Sequence, residues 1–396
     1  MQAAAFTAGA AVAPAALSQS ASPAPISRDE RMARIAKAQS LMRAAGLSGL
    51  LVEPGSTMVY FCGVDWWLSE RPTVLLLPAD GEACMITPAF EADRLRHLLQ
   101  VPAQVRTWEE HENPFKLLAD WTRELGMTKR SIGADVAVRF LISEPLARAG
   151  VHLTAGSAIV DGCRMIKSPA EIAIMQRAAD ITVAAYRQVG ARIAAGMAPA
   201  DITALMTTAL RQGGAQRVSG HTLVGVASSF PHGGAPEPVR TGSVILMDFG
   251  CTLDGYYADI SRTMVFGEPT ALQRKVWNHV REGQMVAFEA ARIGAPAGSV
   301  DDAVRRYYAG LGYTDGLAAP GLTHRTGHGI GLDVHEPINL VRGEATRLAP
   351  GMCFSNEPGL YHRGVFGMRI EDCMYLTEGG PRFFSTPPRS IDAPFF

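Results

Sequence analysis

An apolar run, Val244-Ile245-Leu246-Met247, admits one carboxylate at Asp248 and resumes at Phe249. A lone ionised carboxylate costs several kcal/mol to bury in such a setting, so something must neutralise it. Asp254-Gly255 is a two-residue hairpin signal, and a turn there sets Asp259 opposite Gly250. Side chains on one face recur every second residue, which makes Asp248 and Asp259 diagonal neighbours, roughly 7 to 8 Å apart at the backbone. Two readings stand: a cation joins the pair, or Asp259 caps a turn and Asp248 pairs with an arginine.

Upstream, Arg28 to Ala45 carries the charged amphipathic pattern of a helix ending near Gly46. Short apolar runs at Leu50-Val52, Val59-Cys62, Val74-Leu77 and Cys84-Thr87 alternate with helical stretches at Glu91–Leu99 and Pro114–Leu125. They predict a small mixed α/β domain over residues 26–161. Ser168-Pro169-Ala170-Glu171 is a capping box with proline at the first helical position. It opens a long helix to about Ala195 and the larger domain, 162–396. A helix at Pro199–Gln212 and the hairpin strands follow. The order then repeats, with a helix at Thr270–Ile293, another capped at Ser299 and ending near Gly310, and strand-like segments from Thr323 to Thr377. Two helix-helix-strand-strand units predict a duplicated α/β architecture, with a shared sheet, helices on its outer side and a ligand cleft between the halves.

With 396 residues, 47% of them hydrophobic, and a formal charge of −1, the chain exceeds one ordinary core and has the balance of a soluble globular protein. No basic excess points to nucleic acid, and no run is long and apolar enough for a membrane span. Six scattered cysteines without a C-x-x-C pair argue against a thiolate zinc site and fit buried packing. Residues 1–25, rich in alanine and proline, read as an export signal lacking its basic leader or as a disordered segment. The first would make the protein periplasmic, the second cytoplasmic. Trp66-Trp67 lies in a loop, as a contact surface or as core.

The second unit carries His324-Arg325-Thr326-Gly327-His328-Gly329-Ile330-Gly331-Leu332-Asp333-Val334-His335-Glu336. Its glycines exclude a stable helix, and on an extended backbone His324 and His328 share a face. Glu357 and Glu371 lie in two further strand-like runs around a turn at Gly364 and point to one side. Arg369 points the same way, as a salt-bridge partner of a glutamate or as a substrate group. Four carboxylates and one imidazole without a thiolate favour a harder divalent ion, Mn²⁺, Co²⁺ or Zn²⁺, in an open catalytic site. Four anions balance two such ions and leave room for a bridging water as nucleophile.

Asp248, Asp259, His328, Glu357 and Glu371, within MDFG, DISRT, TGHGIGLDVHE, NEPGLY and MRIED, resemble the pita-bread metallopeptidases, in particular the Xaa-Pro dipeptidase (prolidase) and aminopeptidase P branch. The resemblance implies a pita-bread catalytic domain behind a smaller creatinase-like α/β domain. It also implies two divalent ions, Mn²⁺ foremost, and hydrolysis of an Xaa-Pro bond by a metal-bridging hydroxide. Asp259 and Glu371 would bridge the ions, Asp248 would hold one, and His328 and Glu357 the other. Glu357 would shuttle a proton, His335 would steady the oxyanion, and His232 would contact the peptide. Arg369 would attract its carboxylate, and His324 would line the proline pocket. Such enzymes are usually homodimers, and the Trp66-Trp67 loop is the candidate lid over a partner's cleft. Dipeptides are the favoured substrate. Longer Xaa-Pro peptides, a non-peptide hydrolase or lyase reaction on the same scaffold, and a non-catalytic binding module are the alternatives.

Overall fold

The structure, a computed structural model, describes residues 22–315 and 320–395, so most of the alanine-rich leader lies outside the described residues. Its first part runs α1 (Arg28–Ala44), β1 (Gly49–Val52), α2 (Ser56–Cys62), β2 (Val74–Pro78), β3 (Ala83–Pro88), α3 (Ala92–Leu98), β4 (Ala103–Trp108), α4 (Pro114–Glu124), β5 (Ile132–Ala134), α5 (Phe140–Arg148), β6 (Leu153–Ala155) and α6 (Ser157–Arg164). The six strands form one mixed sheet in the order β4-β3-β2-β1-β5-β6. Both faces are covered, which explains its unbroken apolar runs. Leu51, Val74, Leu76 and Ile86 pack with Leu118, Trp121 and Leu146 on one face, while Leu50, Val52, Leu75 and Leu77 pack with Ile35 and Met42 of α1 on the other. Three of the four early apolar runs are strands. Val59-Cys62 is instead the end of α2, its apolar residues buried by tertiary packing that a four-residue run cannot reveal.

The larger part opens with α7 (Pro169–Gly190), capped by the Ser168–Glu171 box, and α8 (Pro199–Gln212). The first is one turn shorter than its pattern suggested. Its buried positions, Ile174, Ala178, Ile181, Ala185 and Val189, keep one face on the sheet beneath, where the Tyr186 hydroxyl reaches Ile260 O at 2.5 Å. That sheet is β7 (Arg217–Val224), β8 (Val244–Leu253) and β9 (Tyr256–Val265). Asp254 and Gly255 both take positive φ, 47° and 83°, so the hairpin turns as expected and Gly250 faces Asp259.

The second unit begins with α9 (Ala271–Ala290) and α10 (Gly298–Gly310). Ser299 does not cap α10: it lies inside the helix, and its hydroxyl donates to Pro296 O at 2.6 Å. The strands are β10 (Thr314–Asp315), β11 (Gly321–Leu322), β12 (Gly327–Gly329), β13 (Glu336–Leu340), β14 (Cys353–Asn356), β15 (Gly359–His362), β16 (Phe366–Arg369), β17 (Asp372–Thr377) and β18 (Gly380–Phe383). They form two sheets, β10-β11-β15-β16 and β13-β12-β14-β17-β18. The shared sheet expected from the sequence is therefore divided. Its halves meet where Ser261 and Glu371 exchange backbone hydrogen bonds of 3.3 and 3.1 Å.

Beside that seam, Arg262 Nη2 donates to Asp372 Oδ1 at 2.7 Å, both side chains almost wholly buried. Asp372 also accepts from Gln284 at 3.0 Å. Removing one member of a buried pair strands the other's charge. Asp372→Ala should therefore cost about 3–5 kcal/mol in urea unfolding, and a loss below about 1 kcal/mol would contradict this account. A second buried carboxylate, Glu336, would be raised by burial alone, but Lys167 and Arg164 hold it at about 2 against an ordinary 4.5. Its depressed value means that its stabilisation is present above pH 4.5 and lost as pH falls towards 2. Glu336→Gln should remove that acid-limb dependence from thermal melts.

Candidate active site

Asp248 and Asp259 project from one face of the β8–β9 hairpin because Asp259 faces Gly250, two residues on from Asp248, and side chains on one face recur every second residue. The second unit meets them through a register that continues across a gap. Leu360 pairs with Met368 and Asn356 with Asp372, all centred on Gly364, so Glu357 and Glu371 fall opposite one another just outside the named strands. Glycine permits the close approach of β12: a Cβ at Gly327 would lie 2.1 Å from Ser355 O.

One cavity of about 490 Å³ is lined by Asp248, Asp259, His328, Glu357 and Glu371, together with His221, His232, His324, Arg325, His335 and Arg369. All nine residues singled out from the sequence reach it. Donor atoms of Asp259, His328 and Glu371 lie within 4.8 Å of one another, and Glu357 Oε1 is 3.3 Å from His328 Nε2. His328 Nδ1 faces Gly329 O at 3.0 Å and donates to it, which leaves the Nε2 lone pair towards the carboxylates. Burial also pushes His328 down to about 3, so the ring is neutral and can act as a ligand.

The carboxylates show what so much buried negative charge costs. Burial, then Asp248 and Glu357, push Asp259 well above the usual carboxylate range. Burial, then Asp259 and Glu357, do the same to Glu371. Burial raises Glu357 to about 7, against the opposing pull of Arg369. Glu371 Oε1 is buried with no hydrogen-bond partner among the described residues. Oxygen donors crowded in this way around one imidazole, with an orphaned oxygen among them, fit a hard divalent cation.

Arg369 takes Asp248 as its nearer partner, the arginine that one reading of Asp248 called for, and the expected glutamate as a longer one. Its Nη2 donates to Asp248 Oδ2 at 2.6 Å, while Glu371 Oε2 is 3.9 Å from Nε. The same guanidinium donates to Ser261 Oγ at 3.0 Å and to the Tyr361 hydroxyl at 3.2 Å. Tyr361 in turn meets His324 Nε2 at 2.9 Å, and His324 Nδ1 donates to Arg325 O at 2.7 Å. His324 is thus a fixed wall of the cavity. The His335 ring stands edge-on to His328, centroids 4.2 Å apart. Ser261 Oγ lies 2.7 Å from Glu371 Oε2 and 3.1 Å from Asp248 Oδ1.

Sequence reading missed His221, Arg325, Ser261 and Tyr361. His221 sits opposite Asp248 across β7–β8, with its buried Nε2 unpartnered among the described residues. Ser261 had a signal, being two residues from Asp259 on the same face. His221 had none until β7 was paired. Trp66 is buried and Trp67 is 46% exposed, their rings stacked at 4.7 Å under the Arg94 guanidinium. They line a separate groove of about 850 Å³ between the two parts of the chain. All six cysteines are buried and unpaired, and no described helix is long and apolar enough to cross a membrane.

Residues 173–378 match the model of metallopeptidase family M24, and residues 34–166 match that of the creatinase/prolidase N-terminal domain. The chain is 33% identical to a protein named probable dipeptidase PepE from Mycobacterium tuberculosis, over 90% of this chain and 95% of that one. It is 31% identical to a protein named Xaa-Pro dipeptidase from Lactobacillus helveticus, over 85% and 92% of the two. The crystal structure of dipeptidase PepE from Mycobacterium ulcerans superposes with a TM-score of 0.85 at 30% identity, covering 93% of this chain and 98% of that one.

If Asp259 and Glu371 hold a cation, Asp259→Asn and Glu371→Gln should each weaken Mn²⁺ binding in calorimetry. The loss should exceed the roughly 10- to 100-fold expected for an outer-shell partner, with circular dichroism unchanged. Wild-type affinity in either variant would remove that residue from the metal centre.

Proposed function

We propose that this chain, which belongs to metallopeptidase family M24 and carries the creatinase/prolidase N-terminal domain, hydrolyses the Xaa-Pro bond of dipeptides. The observation that supports this most is the convergence of Asp248, Asp259, His328, Glu357 and Glu371 on a single cavity. Asp248, Asp259, His328, Glu357 and Glu371 would together hold a pair of divalent ions. Mn²⁺ suits the hard donor set best, and Co²⁺ and Zn²⁺ are the other candidates. Such a pair supplies Lewis acidity and brings the pKa of water towards neutrality.

The chain's own groups supply the rest. Glu357, at the cavity beside His328, takes the attacking water's proton and returns it to the leaving proline nitrogen. His335 donates to the oxygen that gains charge as the carbonyl becomes tetrahedral. His232, on the loop before Gly233, lines the same cavity and contacts the peptide there. Arg369 is engaged by Asp248, Ser261 and Tyr361. The half-buried Arg325, which makes no hydrogen bond through its guanidinium among the described residues, is therefore the group left to meet the proline carboxylate. The names of the relatives favour a dipeptide over a longer peptide. We further take the protein to be a homodimer in which the Trp66-Trp67 loop covers a partner's cleft.

With Mn²⁺ present, Ala-Pro should be cleaved at least tenfold more efficiently than Ala-Pro-Gly, and chelation should abolish both activities. The reverse preference would mark an aminopeptidase P, and cleavage of neither by metal-loaded protein would end the peptidase reading. Glu357→Gln should lower kcat by about 10²–10⁴. Trp66→Ala with Trp67→Ala should raise KM, and an unchanged KM would remove the loop from the lid role.

A further inference from the structure

His335 is placed in the reaction above, yet its ring makes no hydrogen bond of its own among the described residues. Its neighbour is the edge of His328. The ring's position is therefore set by its backbone, the segment Gly331–Glu336, and the question becomes what holds that segment. Glu336 does. Its Oε1 accepts from Leu332 N at 2.8 Å and Asp333 N at 3.2 Å, closing the segment on itself. The closure is tight: a Cβ at Gly331 would lie 2.7 Å from Oε1, so a larger residue there would displace the carboxylate.

The same carboxylate is gripped from the far side. Arg164 Nη2 donates to Oε1 at 2.5 Å and Lys167 Nζ to Oε2 at 2.9 Å. Arg164 ends α6 and Lys167 stands just before α7, so both belong to the junction between the two parts of the chain. Arg164 also donates to Ser56 Oγ at 3.0 Å and Thr57 Oγ1 at 3.2 Å, at the start of α2, and to Asp333 Oδ2 at 2.8 Å. Ser56 donates to Asp333 Oδ2 at 2.6 Å. Arg164, Lys167 and Glu336 are buried and Asp333 is 49% exposed, and the balance of two cations and two anions is what makes the buried part of the cluster tenable. His335 lines both the active cavity and a second cavity of about 150 Å³ bounded by Ser56, Thr57, Arg164, Asp333 and Glu336. It thus borders both the catalytic centre and the junction.

We propose that Glu336, clamped by Arg164 and Lys167, is a positioning residue that sets the His335 ring against the reacting carbonyl and ties it to the placement of the small α/β part. The inference rests on the role given to His335 above. A 1 Å displacement of such a group is costly to the reaction but barely affects ground-state binding.

The test is a double-mutant cycle on metal-loaded protein with Ala-Pro as substrate. Glu336→Gln should lower kcat at least tenfold with KM within threefold of wild type and Mn²⁺ stoichiometry intact. His335→Ala should lower kcat similarly, and the double variant should be no slower than His335→Ala alone, because groups acting through one another are not additive. Arg164→Lys, which keeps the charge but cannot span Ser56, Asp333 and Glu336 together, should fall between wild type and Glu336→Gln. If Glu336→Gln does not fold, the Arg164→Lys cycle with His335→Ala decides alone. Additive losses, or losses that appear in KM or metal content, would overturn the inference and leave the peptidase reading standing. Wild-type turnover by His335→Ala would overturn both the role of His335 and this proposal.

Discussion

The structure is governed by the mutual repulsion of four carboxylates that converge on one buried cavity. Within it, Arg369 offsets the charge of Asp248, while burial and the neighbouring carboxylates push Asp259 and Glu371 well above the usual carboxylate range. No arrangement of that kind arises from the preferences of its strands. It must be imposed by the surrounding packing, which holds the β8–β9 hairpin from one unit and the Glu371 segment from the other in fixed apposition. The backbone exchange between Ser261 and Glu371 is where the imposition happens, and the Arg262–Asp372 pair beside it keeps the seam from opening. Divalent cations relieve the repulsion, so membership of a metallopeptidase family and the electrostatics of the fold point to the same occupant.

The parts of this arrangement that are legible in the sequence are those where geometry follows from chain spacing alone. Alternation along a strand and a two-residue turn at Asp254-Gly255 suffice to face Asp259 with Gly250. The centre at Gly364 likewise carries the pairing outward through both β15–β16 and β14–β17 to the two glutamates. The capping box at Ser168 locates a helix start to the residue because its hydrogen bonds are local. What escapes depends on contacts between distant segments. An arginine beside Asp248 is one of the two readings its apolar setting allows, but Asp248 and Arg369 are far apart in sequence, and nothing in either neighbourhood names that partner. Val59-Cys62 is equally apolar as a strand or as the buried side of a short helix. His221 acquires meaning only once β7 is paired with β8.

The junction cluster is of the same kind, and it bears on why the small part is present. An apolar junction would hold two parts together at less desolvation cost than Arg164, Lys167, Asp333 and Glu336 do, since buried ion pairs seldom outperform well-packed hydrophobic residues. Such an interface would, however, tolerate sliding, because apolar contact is non-directional. Charge-assisted hydrogen bonds are short and directional. The cluster therefore trades stability for a fixed placement of the segment whose carboxylate closes around Leu332 and Asp333. That trade is useful only where placement matters, and the residue whose placement it governs, His335, has no polar anchor of its own among the described residues.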